Sequence, residues 1–225
     1  MKKFKFYLDF DGTITQNDVV DMMLERFADK SWQVIEKEWQ NGKIGSRECL
    51  SKQIALLKAS PEDLALLCQE IKIDDYFISF LKCADELSIP VRIVSDGFDY
   101  VIRQVLNRVL KDHPDLLQAL PIFSNKIEWV SSSPKAIFSS GKLCDHGCAN
   151  CKPEIIRQTA SKEDMVLFVG DGLSDRYAVQ RADISFAKGK LLQYCRDQRL
   201  NHVPYEHFGQ VEEWLLKNYT TLKSN

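Results

Sequence analysis

Residues 4–13 read Phe-Lys-Phe-Tyr-Leu-Asp-Phe-Asp-Gly-Thr, and this stretch decides the fold. An apolar run with strand character stops at Asp9, a second carboxylate follows at Asp11, and Gly12-Thr13 turns the chain away. Two acids one residue apart repel each other where a strand leaves a sheet, unless a cation holds them. A hard divalent cation such as Mg²⁺ takes oxygen ligands. On an extended segment residues i and i+2 point to the same side, which directs Asp9 and Asp11 together. Gly12 lets a backbone N–H approach a ligand, and Thr13 adds a hydroxyl donor. This pattern points to phosphoryl transfer through a carboxylate nucleophile beside a metal. An ordinary Asp-Gly turn is the competing reading of these residues taken alone.

Outward from this strand the chain changes character twice. Residues 18–72 carry apolar positions at helical spacing, such as Val19, Val20, Met23, Leu24 and Phe27, then Leu50, Ile54 and Leu57. Asn41-Gly42 and Ser60-Pro61 punctuate this block, which predicts a bundle of four helical elements. From residue 74 helix and strand alternate. Strands are expected at 91–94, 121–123, 127–130, 165–169 and 184–186. Helices are expected at 75–88, 98–110, 154–160, 174–181, 189–197 and 208–218. This alternation predicts an α/β fold, a mostly parallel sheet with helices on both faces. In such sheets ligands sit at the carboxyl ends of the strands, where Asp9, Ser95 and Asp171 would meet. The expected division is a core of residues 1–16 and 74–225 with a helical cap, 17–73, inserted after the first strand.

Three further segments add chemistry. Ser95-Asp96-Gly97 ends a strand with a hydroxyl and a glycine, which suits phosphate capture, although it is also a common helix start. Lys152 precedes Pro153 and a predicted helix, where its cation can hold a phosphate and a nucleophilic carboxylate. Gly170-Asp171-Gly172-Leu173-Ser174-Asp175 sets two carboxylates at a strand–helix junction, with a plain helix cap as the alternative for Asp175.

In this order the four segments resemble the motifs of the haloacid dehalogenase superfamily, and the match spans the whole chain. The resemblance implies a Rossmann-like core and a Mg²⁺-dependent phosphatase. Asp9 would be the nucleophile that forms an aspartyl phosphate, and Asp11 the general acid–base. Gly12, Thr13, Ser95, Gly97 and Lys152 would bind phosphate. Asp9, Asp11 (through its main-chain carbonyl) and Asp171 would hold the metal, with Asp175 supporting from behind. The substrate would be a small phosphorylated metabolite. Cys148-Ala-Asn-Cys151-Lys152-Pro153 and the run from Leu191 to Tyr205 look like the methionine-salvage branch, which acts on 2-hydroxy-3-keto-5-methylthiopentenyl-1-phosphate. The layout is also similar to phosphoserine phosphatases. Here, however, Asp18 stands in place of their longer acid, and Ser51 aligns with their carboxylate-binding arginine. Phosphatases for phosphoethanolamine, phosphocholine or pyridoxal phosphate are related alternatives. Outside hydrolysis, a phosphate-isomerising mutase and a silent metabolite-binding protein are further readings. Met22, Met23, Phe27, Trp32 and Trp39 are expected in the bundle core more than in a pocket.

Composition agrees with a globular enzyme. The 225 residues are 44% hydrophobic and 28% charged, with a formal net charge of −2. The lack of a basic block points away from nucleic acid and anionic membranes as partners. Lys5 and Asp9 break up the N-terminal apolar stretch, so neither an export signal nor a membrane anchor is expected. Seven cysteines without such a signal predict reduced thiols and a cytoplasmic location. Cys144, His146, Cys148 and Cys151 fall within eight residues. They allow two readings, a tetrahedral structural Zn²⁺ or a loop of reduced thiols.

Overall fold

A computed structural model describes residues 3–131, 133–139 and 144–224. The first strand, β1 (Lys3–Leu8), alternates its side chains into two apolar layers. Phe4, Phe6 and Leu8 join one buried cluster and Tyr7 the other, so both faces of the sheet are covered. Between β1 and β2 (Val91–Phe98) come α1 (Val19–Phe27), α2 (Trp32–Gln40), α3 (Ser46–Ile54), α4 (Pro61–Glu70) and α5 (Phe77–Glu86). Next follow α6 (Asp99–Val109), a short α7 (Pro114–Gln118), β3 (Ile122–Val130) and β4 (Ser133–Ile137). The chain ends through α8 (Lys152–Thr159), β5 (Asp164–Gly170), a 3₁₀ turn over Leu173–Tyr177, β6 (Ile184–Ala187), α9 (Gly189–Asp197), β7 (Val203–Pro204) and α10 (Phe208–Ser224).

The sheet order is β4-β3-β2-β1-β5-β6-β7, with only the β3–β4 pair antiparallel. This is the α/β, mostly parallel architecture that the alternation of elements predicts. In the register, Leu8 pairs with both Ile93 and Val169, so β1, β2 and β5 deliver their carboxyl ends side by side.

Local chemistry explains where the helices of the first block begin. Asp18 caps α1 by accepting the Asp21 N–H at 2.9 Å. Ser60 and Asp63 form a reciprocal capping box at the start of α4, with Pro61 in the first turn. The segments entering and leaving α1–α4 are pinned together. Thr15 bridges Ile73, and the Gln16 N–H donates to the Lys72 carbonyl at 2.9 Å. The block therefore leaves the sheet and returns at one place, beside Asp9. No helix among the described residues is long and apolar enough to cross a membrane.

Several elements differ from expectation. Residues 122–130 form one strand, because Asn125 pairs with Phe98 across the sheet. Sequence pattern predicts neither the short α7, the hairpin partner β4 nor the two-residue β7. The helix expected at 174–181 is a tight 3₁₀ turn ending at Tyr177.

Candidate active site

Asp9 follows the last residue of β1, and its N–H still donates to the Val169 carbonyl at 2.9 Å. Its carboxylate is buried and meets the ammonium of Lys152 at 2.7 Å. Lys152 also donates to Asp175 at 2.6 Å. The second oxygen of Asp175 accepts the N–H groups of Asp171 and Gly172, at 3.1 and 3.2 Å. Both Asp175 oxygens are thus committed, which makes this residue a brace for Lys152 and the Asp171 loop. Carboxylate oxygens of Asp9, Asp171 and Asp175 lie within 4.8 Å of one another.

Asp11 lies on the opposite side of the same pocket. It accepts the Ser95 hydroxyl at 3.1 Å and the Val19 N–H at 3.3 Å. The Ser95 oxygen in turn accepts the Gly97 N–H at 2.8 Å. A Cβ on Gly97 would sit 2.4 Å from an Asp11 oxygen, so this turn must approach Asp11 without a side chain.

Crowded burial sets the electrostatics. Burial, reinforced by Asp175, pushes the Asp9 carboxyl well above its ordinary range, and Lys152 opposes the shift. Burial and then Asp18 lift Asp11 to about 8. Burial and Asp175 lift Asp171 to about 6. Burial alone would lower Lys152, but Asp175 and Asp9 reverse this and hold its ammonium charged. Several carboxylates therefore share one buried cation, and a further positive charge at Asp9 and Asp171 would relieve the repulsion. The donors are all hard oxygens, which fit Mg²⁺.

Two residues expected to bind phosphate point elsewhere. The Thr13 hydroxyl is buried and donates to Asp171 at 2.7 Å, so it orients that carboxylate. The Gly12 N–H donates to Thr15 Oγ1 and to the Asn17 carbonyl, at 3.0 and 3.2 Å. Gly12 has another use. Its φ is +71°, and a Cβ would lie 2.5 Å from an Asp171 oxygen. Sequence reading passed over Asp96 and Asn150. Asn150 donates its side-chain amide to the Ser95 and Phe123 carbonyls, both at 2.9 Å, and its N–H to Asp96 at 3.2 Å. The Ser-Asp-Gly turn contained the signal for Asp96. Asn150 gave none beyond its nearness to Lys152.

A cavity of about 310 Å³ opens from Asp9, Asp11, Asp96 and Asp171 toward α1, α2 and α3. Its lining carries Val20, Trp39, Leu50 and Leu173 as apolar surface, and Asp18, Asp21 and Glu36 as acids. Lys190 is the one cation among the lining residues, and it acts on Asp18 and Asp21. From α3 the cavity receives Ser46, Cys49, Leu50 and Gln53. Ser51 is exposed and lies outside it, and neutral Gln53 is the α3 residue beside it in sequence that does line the cavity. Met23 and Trp32 are core residues, while Trp39 alone of the five bulky side chains singled out above reaches the cavity.

A family model described as haloacid dehalogenase-like hydrolase matches residues 6–180. The chain belongs to this family. As a family member it is a hydrolase. It is 28% identical to the 2-hydroxy-3-keto-5-methylthiopentenyl-1-phosphate phosphatase of Bacillus pumilus, over 100% of both chains. It is also 28% identical to the phosphatase of the same name from Exiguobacterium sp., over 92% of this chain and 94% of that one. In fold it is similar to a phospho-aspartyl intermediate analogue of phosphoserine phosphatase. That TM-score is 0.70 at 22% identity, covering 96% of this chain and 99% of the other. A substrate-bound phosphoserine phosphatase complex superposes with a TM-score of 0.71 at 21% identity, covering 95% and 98%. These solved structures support the Rossmann-like core of the family.

The sulfurs of Cys144, Cys148 and Cys151 cluster within 4.8 Å, but His146 is not with them. Its exposed ring stacks on Tyr177 with centroids 3.8 Å apart, which corrects the four-ligand set expected from the sequence. All seven cysteines are free thiols.

Proposed function

We propose that this hydrolase is a phosphatase that cleaves a small phosphate monoester through an aspartyl phosphate on Asp9. The buried contact between Asp9 and Lys152 at 2.7 Å carries this reading, because it fixes by one oxygen a carboxylate that lines the cavity. An Asp9 oxygen attacks phosphorus, the bond from phosphorus to the ester oxygen breaks, and Asp11 gives the leaving alkoxide its proton. A water then attacks phosphorus, Asp11 takes its proton, and the bond to Asp9 breaks to release phosphate. The elevated Asp11 pKa suits the acid role in the first step. Lys152 and the Ser95 hydroxyl, turned from Asp11 to the substrate, would hold the non-bridging oxygens, with the Gly97 N–H keeping the Ser95 oxygen in place.

The carboxylates of Asp9 and Asp171, with the Asp11 carbonyl, would hold Mg²⁺. The ion supplies positive charge against the phosphate and the developing negative charge. Thr13 and Gly12 keep Asp171 in place for it. The core of residues 1–16 and 74–225 would carry the chemistry, and the inserted cap, 17–73, would screen it from water.

For the substrate we propose 2-hydroxy-3-keto-5-methylthiopentenyl-1-phosphate, as in the relatives' names. Val20, Trp39, Leu50 and Leu173 offer an uncharged surface for a thioether tail. Glu36 and Gln53, joined at 3.1 Å, offer polar partners for carbonyl and hydroxyl groups. Phosphoserine fits less well, because α3 offers neutral Gln53 and the one cation lining the cavity, Lys190, already answers Asp18 and Asp21. A panel of phosphate esters assayed with Mg²⁺ tests this. The methylthio ester should give the highest kcat/KM and phosphoserine at least about tenfold less, the effect of roughly 1.4 kcal/mol of lost charged contact. Phosphoserine as the best substrate would overturn the assignment.

A further inference from the structure

In the loop that leads into Lys152 stands a cluster that the hydrolytic chemistry does not use. The sulfurs of Cys144, Cys148 and Cys151 lie within 4.8 Å of one another. We propose that these three cysteines form a site for a thiophilic divalent cation, Zn²⁺ by preference, bound as a three-thiolate centre with its fourth position open to solvent.

The geometry is close to what such a centre needs. A zinc–sulfur bond of about 2.3 Å in a tetrahedron sets sulfurs about 3.8 Å apart, so about 1 Å of side-chain adjustment suffices. Backbone already shapes the turn. The Gly147 N–H donates to the Cys144 carbonyl at 2.9 Å, and Gly147 takes a φ of +64°, which only glycine adopts without strain. This turn aims the Cys148 N–H at the Cys144 sulfur, at 3.3 Å. An N–H directed at sulfur complements the negative charge that a coordinating thiolate carries. Soft sulfur donors select zinc over the hard cation of the carboxylate site. Cys144 and Cys151 are half-buried and line a second cavity of about 750 Å³, which gives the ion a route in and a water a place to bind. Each thiol that coordinates releases its proton to solvent as the ion enters.

The position gives the site a purpose. Cys151 lies between Asn150, which ties down Ser95, and Lys152, which holds Asp9. Gly147 also receives the first turn of α3, its carbonyl accepting the Arg47 N–H at 3.0 Å. A bound ion would lock one loop that touches the helical block, the serine turn and the lysine.

The test uses the full chain, purified reduced and without chelator, with its zinc measured and Co²⁺ then titrated into metal-stripped protein. About one equivalent of zinc is expected, and cobalt should give thiolate charge-transfer absorption with tetrahedral visible bands. Cys148→Ser should abolish those bands, whereas Cys83→Ser, in buried α5, should keep them. If Cys148→Ser does not fold, Cys144→Ser takes its place. Reduced protein with all seven thiols titratable but no cobalt–thiolate band would overturn the proposal. Bands that persist in the folded Cys148→Ser or Cys144→Ser variant would do the same.

Discussion

Lys152 donates to Asp175 at 2.6 Å, and neither side chain is more than 1% exposed. A pair this deep is held in place by everything around it. Asp175→Ala would leave two N–H groups unanswered and Lys152 with Asp9 as its remaining close carboxylate. Breaking one side of a buried pair costs about 3–5 kcal/mol. The expected outcome is a lower urea midpoint at unchanged slope. A midpoint within error of wild type would show that the brace is not structural.

Asp11→Asn separates acid catalysis from binding. The change preserves shape but removes the transferable proton, so hydrolysis of an alkyl phosphate should fall about 10²- to 10⁴-fold. A p-nitrophenyl ester, whose leaving group needs little protonation, should lose much less. Equal losses for both esters would contradict the role given to Asp11.

Gly12→Ala tests the packing behind Asp171. The added methyl would press on an Asp171 oxygen from 2.5 Å, in a backbone conformation that alanine resists. The Mg²⁺ concentration for half-maximal activity should rise about 10- to 100-fold, the scale seen when a ligand loses its support. An unchanged Mg²⁺ requirement in the folded variant would remove Asp171 from the metal site.

Stability should fall in acid through Asp164. Lys5 bonds it at 2.5 Å, and the Ser161 N–H adds a contact at 2.7 Å. Partial burial pushes the Asp164 carboxyl up, but these bonds outweigh it and hold the pKa below the ordinary value. A carboxyl depressed in the folded state contributes stability above its unfolded pKa of about 3.9, and loses it as pH falls through the folded value. Asp164→Asn should therefore destabilise at pH 7 and make little difference well below pH 4, about the unfolded value. Thermal melts across that range give the answer. An equal loss at both ends would exclude the ion pair as the cause.

The sheet was legible from its alternating elements, and the candidate site because β1 and β5 each give way to an acid that has no structural reason to be there. Asp9 follows an apolar run directly and Asp171 follows one across Gly170, and no pattern of propensity calls for acids at buried strand ends. What escaped reading depended on tertiary contacts. Ser124-Asn125 reads as a turn, yet Asn125 donates to the Asp96 carbonyl at 2.7 Å and keeps β3 continuous. Asp175, drawn inward by Lys152, tightens a helix start into a 3₁₀ turn. On α3 the difference between Ser51 and Gln53 is two residues, about 200° of helical rotation, enough to exchange solvent for cavity. His146 leaves the cysteines for the face of Tyr177, a choice that spacing in the sequence cannot reveal.

The central claim is a covalent bond between Asp9 and phosphorus, and one trapping experiment addresses it directly. Enzyme quenched with acid during turnover and reduced with borohydride converts a phosphorylated aspartate to homoserine, which mass spectrometry assigns to a position. The expected result is homoserine at position 9 in wild type and none in Asp9→Asn, which should also lack turnover. Steady hydrolysis with no modification at position 9, or with homoserine at Asp11 or Asp171 instead, would contradict the account.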